Sequence, residues 1–240
     1  MTDMESRSKS RAVYLLPNLF TSAALFSGFY AVVAGMHGSF EAAATAIFIA
    51  MILDGFDGRV ARLIDGESEF GAQYDSMSDL VAFGVAPALV SLSWALSDLG
   101  KVGWMAAFIF LAGAALRLAR FNAMIGTVDK KYFVGLASPP AAALVASLVW
   151  FCSQEGISST GMTWFGAVVV AGAGLLMVSN FKYYSFKNFD IKGRVPFVVL
   201  LAIVVVFSIV FIDPARILFV LAFVYALSGP VMFLFGKRFK

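Results

Sequence analysis

From residue 17 to residue 235 the chain is an almost unbroken series of apolar stretches, each close to the ~20 residues a helix needs to cross a hydrocarbon core. They fall near 17–36, 41–62, 73–97, 102–122, 137–153, 161–180, 195–212 and 215–235, with 137–153 the weakest. Backbone polar groups inside lipid must find partners within the protein, so segments of this length cross as helices. Composition agrees. Hydrophobic residues make up 60% and charged residues 14%, whereas a soluble domain carries ~25% charged residues to cover its surface. The expected fold is an all-α polytopic membrane protein with about eight transmembrane helices, forming one membrane domain over 1–240. A single cysteine, Cys152, excludes an intrachain disulfide and Cys-rich metal sites, and a single histidine, His37, excludes a multi-His centre. A net charge of +3 gives no reason to expect nucleic acid.

The basic residues predict the orientation. Arg7, Lys9 and Arg11 lie in an N-terminal arm (1–12), Arg59 and Arg62 follow the second stretch, and Arg117, Arg120, Lys130 and Lys131 follow the fourth. Lys182, Lys187, Lys192 and Arg194 follow the sixth, and Lys237, Arg238 and Lys240 form the tail. The opposite ends hold only Lys101 and Arg216. By the positive-inside rule both termini are cytoplasmic, which agrees with an even number of spans. The first stretch is too long for a signal-peptide core and no clear small-residue cleavage site follows it, so it is read as a retained span.

Most of the fifteen acidic residues lie in connections or in the arm; Asp54, Asp57, Asp75 and Asp79 do not. Asp54 and Asp57 are spaced i, i+3 near the cytoplasmic end of the second span. Asp75 and Asp79 are spaced i, i+4 near the start of the third. Both spacings place the two carboxylates on one helix face, and the short connection brings the two ends together. Four like charges in a low-dielectric setting need counter-charge. Arg59 and Arg62 are too few to neutralise them together with a phosphate substrate, whereas divalent cations suffice. An oxygen-only donor set points to Mg2+, Mn2+ or Ca2+ rather than zinc. Two such ions can clamp the attacking and leaving oxygens of a phosphoryl displacement. The competing structural account is helix capping or pairing with the two arginines, which would serve for one or two aspartates better than for four.

The segment runs Asp57-Gly58-Arg59-Val60-Ala61-Arg62, eight residues, then Gly71-Ala72-Gln73-Tyr74-Asp75-Ser76-Met77-Ser78-Asp79. It resembles the signature of the CDP-alcohol phosphotransferase family, DGxxAR(x8)GxxxDxxxD, at every specified position, and Asp54 stands where that family has a further aspartate. The resemblance implies a membrane enzyme that transfers a substituted phosphate from a CDP-linked donor to an alcohol and releases CMP. By matching position it implies two divalent cations on Asp54, Asp57, Asp75 and Asp79, with Asp79 as general base. It also implies a donor nucleotide against Asp57, Gly58, Ala61, Arg62, Gly71 and Asp75. The small residues there equally suit tight helix packing, and Arg62 equally suits an interfacial anchor.

Beyond the signature, Leu15–Thr21, Val81–Ala88, Ala115–Asn122, Phe133–Ala141 and Tyr183–Lys187 resemble the membrane-integrated phosphatidylserine synthase branch of that family. The branch implies CDP-diacylglycerol as donor, L-serine as acceptor, the cell (inner) membrane as location with a cytoplasmic site, and a homodimer. Arg117 and Arg120, i, i+3 at the end of the fourth span, suit a carboxylate or a phosphate. Asn122, Ser138 and Lys187 add polar groups for acceptor or lipid phosphate. Each has a structural alternative as a cap or anchor. Pro87 in the third span predicts a kink opening a groove for the donor's acyl chains. Trp94, Trp104, Trp150 and Trp164 are read as an interfacial belt. The same chemistry with glycerol 3-phosphate or inositol phosphate is the nearest rival. A cation-coupled transporter, the rival of another class, would favour acids near the midplane and discontinuous helices in paired halves. Here the acids lie at one end of a single hairpin and no repeat is visible.

Overall fold

The computed structural model describes residues 2–64, 68–123, 132–157, 160–184, 208 and 210–236, and the side chains among them except at 2–15, 61–62, 132–133, 184 and 236. Seven long helices lie among the described residues. They are α1 (Thr2–Met36), α2 (Phe40–Leu63), α3 (Glu69–Trp94), α4 (Lys101–Ala123), α5 (Ser138–Gln154), α6 (Thr160–Val178) and α7 (Pro214–Gly236). A two-stranded antiparallel ribbon, β1 (Tyr132–Val134) with β2 (Lys182–Tyr184), pairs Phe133 with Tyr183. The helices match the apolar stretches to within a few residues, except that α1 continues back through the basic arm. The expected span at 195–212 falls almost wholly outside the described residues.

Among the described residues, five helices are long and apolar enough to cross a membrane: α3, α4, α6, α7 and the Leu16–Met36 part of α1. The chain is an integral membrane protein. The other two helices depart from a simple span for physical reasons. α2 carries Asp54, Asp57, Arg59 and Arg62 toward its end. α5 has only 17 residues, yet ten are buried, from Ser138 to Cys152. It contributes to both hydrophobic clusters, one shared with α1, α2 and α3 and the other with α3, α4, α6 and α7. The weakest span in the sequence is therefore the central helix, enclosed by protein and under no demand to match the bilayer.

Close helix approach depends on small residues. A Cβ at Gly113 of α4 would overlap the backbone of Gly174 in α6, and one at Gly28 of α1 would lie 2.7 Å from Ala82 Cα in α3. The small-residue stripes around Gly113 and Gly174 thus pack on each other within one chain.

α3 is not α-helical throughout. Leu80–Val85 forms a π-helical turn, with the Ala86 N–H bonded back to Val81 O. Pro87 lacks an N–H and crowds the carbonyl one turn before it, and a widened turn accommodates that crowding. The irregularity expected at Pro87 thus lies one turn earlier, beginning at the residue after Asp79. A groove of about 490 Å3 lies elsewhere, between α1 and α2, lined by Ala23, Ser27, Thr45, Ala46 and Leu53 among others. The tryptophans divide: Trp104 and Trp164 are exposed, whereas Trp94 packs on Gly166 and Trp150 beside Phe48.

Candidate active site

The start of α3 is set by Ser68, whose extended backbone and side chain cap the helix by accepting from the Gly71 N–H at 3.0 Å. An N-cap hydroxyl satisfies one of the orphan donors of the first turn. The connection between α2 and α3 is short, so the ends of both helices share one level and their aspartates meet. One carboxylate oxygen each from Asp54, Asp57 and Asp75 lies within 4.8 Å of the others. Asp57 and Asp75 are within hydrogen-bonding reach of each other, as are Asp54 and Asp79. All four predicted carboxylates are therefore brought together, three as a tight group and Asp79 one turn further along α3.

Asp57 is buried, and its Oδ2 accepts from Thr21 Oγ1 at 3.0 Å. The Thr21 carbonyl in turn accepts from Ser78 at 3.1 Å. α1 is thereby tied to both acidic helices through one residue. The hydroxyls of Ser22 and Tyr74 also meet, at 2.8 Å. No role for the Thr21 side chain follows from the sequence. Its signal, a hydroxyl near the end of an otherwise apolar stretch, is too common to select it.

Asp75 Oδ1 is buried with no hydrogen-bond partner among the described residues. Carboxylates crowded in this way need either protons or cations between them. An orphaned, buried oxygen within an all-oxygen donor set fits a hard divalent cation, so Asp54, Asp57 and Asp75 form a group able to hold a metal ion.

The remaining predicted residues separate into distinct settings. A Cβ at Gly58 would meet nothing within 4 Å among the described residues, so helix packing does not account for this glycine; one at Gly71 would touch Ser68 Oγ and Asn18 Oδ1. The Ala61 and Arg62 side chains and all of Lys187 lie outside the described residues. Asn122 donates to Ser76 at 3.0 Å, bridging α4 to α3 beside Asp75.

Arg117 and Arg120 have different tasks. Arg120 donates to Val134 O at 3.0 Å, to Met177 O and Val178 O at 3.3 Å, and to Ser179 O at 3.4 Å. These are the terminal carbonyls of α6 together with one from β1, so its guanidinium acts as a C-terminal cap. Arg117 is buried at 9% exposure. Its Nη1 donates to Ser138 Oγ at 3.3 Å, and its Nε is buried without a partner among the described residues. Asp79 and Tyr225 lie within electrostatic range of it.

The ribbon docks on α7. Tyr183 is fully buried, its hydroxyl donates to Ala226 O at 2.9 Å, and its ring lies where a Cβ on Gly229 would be. Burial, with Tyr225 nearby, pushes the Tyr183 phenol up to about 12, so it remains a neutral donor.

Fold and site together define an integral membrane protein with a carboxylate cluster of the divalent-metal type at one end of a helical hairpin, the donor set of phosphate chemistry. Residues 14–178 match the CDP-alcohol phosphatidyltransferase family, and the chain belongs to it. Among its relatives, the CDP-diacylglycerol–serine O-phosphatidyltransferase of Helicobacter pylori (strain J99) is 36% identical over 227 residues, covering 93% of this chain and 92% of the relative. The protein of that name from Mycobacterium leprae is 37% identical over 185 residues, 74% of this chain and 61% of the relative. The one from Methanocaldococcus jannaschii is 41% identical over 142 residues, 59% of this chain and 63% of the relative.

Proposed function

We propose that this protein transfers the phosphatidyl group of CDP-diacylglycerol to the hydroxyl of L-serine, giving phosphatidylserine and CMP. What supports the reading is a carboxylate cluster of Asp54, Asp57 and Asp75 in a chain alike over nearly its whole length to a serine O-phosphatidyltransferase. The cytidine lies against Asp57, Gly58, Ala61, Arg62, Gly71 and Asp75, a reading supported by the absence of any described atom within 4 Å of a Cβ at Gly58. Asp54, Asp57, Asp75 and Asp79 hold two divalent cations per protomer, Mg2+ or Mn2+ by donor chemistry and Ca2+ by the same rule. Bound there, such ions neutralise the carboxylates and polarise the pyrophosphate of the donor.

Asp79 takes the serine hydroxyl proton as that oxygen bonds to the lipid-side phosphorus. The bond from this phosphorus to the bridging oxygen breaks, and CMP leaves with that oxygen. Thr21 holds Asp57 in register. Arg117, the buried guanidinium, receives the serine carboxylate or the lipid phosphate, while Arg120 secures the helix end beside it. Asn122 and Ser138 add polar contacts for the acceptor or the lipid phosphate, and Lys187 is assigned the same task from the sequence alone. The site and both termini lie at the cytoplasmic face of the cell membrane, a reading supported by the basic residues at those ends. The working unit is a homodimer of single-domain protomers with eight spans.

Purified protein given CDP-diacylglycerol and Mn2+ or Mg2+ is expected to release CMP with serine. Glycerol 3-phosphate, inositol phosphate and choline are expected to give none. Release with one of those instead would retain the cluster and overturn the acceptor. No release with any acceptor, from folded protein, would favour the transporter reading.

A further inference from the structure

The family match ends at residue 178, yet α7, which begins at Pro214, reaches the polar interior. Four helices converge there. Asp79 comes from α3, Arg117 from α4, Ser138 from the first turn of α5 and Tyr225 from α7. Tyr225 is firmly placed: its ring lies 5.6 Å from that of Tyr183, which is bonded to Ala226 O and seated on Gly229. A second aromatic pair, Phe181 with Phe233 at 5.2 Å, fixes the same helix to the ribbon.

A guanidinium buried in a membrane span is costly unless an anion meets it. The bond to Ser138 leaves the Arg117 Nε without a partner among the described residues, so a charged donor remains for an anionic group. In serine the carboxylate is two carbons from the hydroxyl oxygen. The group that binds it must therefore lie within a few ångströms of the base that takes the hydroxyl proton. Arg117 lies within electrostatic range of Asp79 and of Tyr225 from α7, and its Nη1 is held by Ser138 of α5. A neutral phenol is a good second donor to a carboxylate already held by arginine, because both bonds are charge-assisted.

We propose that Tyr225 is a specificity-determining residue of the acceptor site, its hydroxyl binding the acceptor carboxylate together with Arg117. This role rests on the serine-transfer reading and extends the functional unit to the last helix. Tyr225→Phe in the full chain keeps the ring and its packing and removes only the hydroxyl. It should raise the serine KM about tenfold, the loss expected for one hydrogen bond to a charged group, and leave kcat and the CDP-diacylglycerol KM within about twofold of the unsubstituted protein. Inhibition by 3-hydroxypropionate, which has serine's hydroxyl and carboxylate without the amine, should weaken by a similar factor. A serine KM unchanged in Tyr225→Phe overturns the proposal, as does a parallel rise in both KM values, which would mark a packing role. The unsubstituted protein is measured first: if its CMP release does not depend on serine, the functional reading fails whatever Tyr225 does.

Discussion

Replacing Arg120 by methionine separates a structural arginine from a ligand-binding one. Methionine keeps an unbranched apolar stem and removes the guanidinium, which bonds Val134 O, Met177 O and Val178 O at 3.0–3.3 Å. Buried hydrogen bonds from a charged donor contribute about 1.5–3 kcal/mol each. Arg120 is only partly buried, so water would satisfy some of the released carbonyls and the three bonds do not add in full. A loss of about 3 kcal/mol is the reasonable figure, equivalent to a fall in Tm of roughly 6–12 °C for a chain of this size. The assay is thermal unfolding in detergent, followed by intrinsic fluorescence, with serine and donor KM measured on the same preparation below the new Tm. A large drop in Tm is expected, with KM values within about threefold of the unsubstituted protein. A Tm unchanged within about 2 °C, with either KM raised about tenfold or more, would refute the reasoning and make Arg120 a substrate ligand.

Other substitutions test other parts of the site. Gly58→Leu should not lower Tm, because a Cβ there meets no described residue within 4 Å and glycine is the poorer helix former, and should raise the donor KM about tenfold or more by occupying room for the nucleotide; steady-state kinetics with varied CDP-diacylglycerol, beside thermal unfolding, checks both. Thr21→Val removes the hydroxyl that bonds Asp57, and kcat should fall about tenfold for one bond to a charged group, with more Mn2+ needed for half-maximal activity. Gly113→Leu forces a side chain into the Gly174 backbone; overpacking costs about 1–3 kcal/mol even where neighbours can shift, so the yield of monodisperse protein on gel filtration should collapse.

The aspartates could be found from spacing alone because i, i+3 and i, i+4 intervals on a helix fix relative direction before any tertiary contact exists. The helical spans were legible for a similar reason, since bilayer thickness sets their length. What could not be read depends on which helix touches which. Arg117 and Arg120 are three residues apart on one helix and equal in charge, yet one faces the interior and the other the carbonyls ending α6. Their division follows from the packing of Gly113 on Gly174, which brings the end of α6 beside α4. Tyr225 lies in an apolar helix beyond the family-matched segment and outside any motif. Its place emerges only from the contacts that lock Tyr183 onto Ala226 and Gly229.

The most direct test of the central claim is incorporation of labelled L-serine into extractable lipid by the purified protein, with CDP-diacylglycerol and Mn2+ or Mg2+, beside Asp75→Asn. Labelled phosphatidylserine and CMP are expected in equal amounts. Both should be abolished by chelator and by the substitution, which removes the charge from the carboxylate whose Oδ1 is buried without a partner among the described residues. Label in lipid that survives Asp75→Asn or chelation, or no label from folded protein, would contradict the claim.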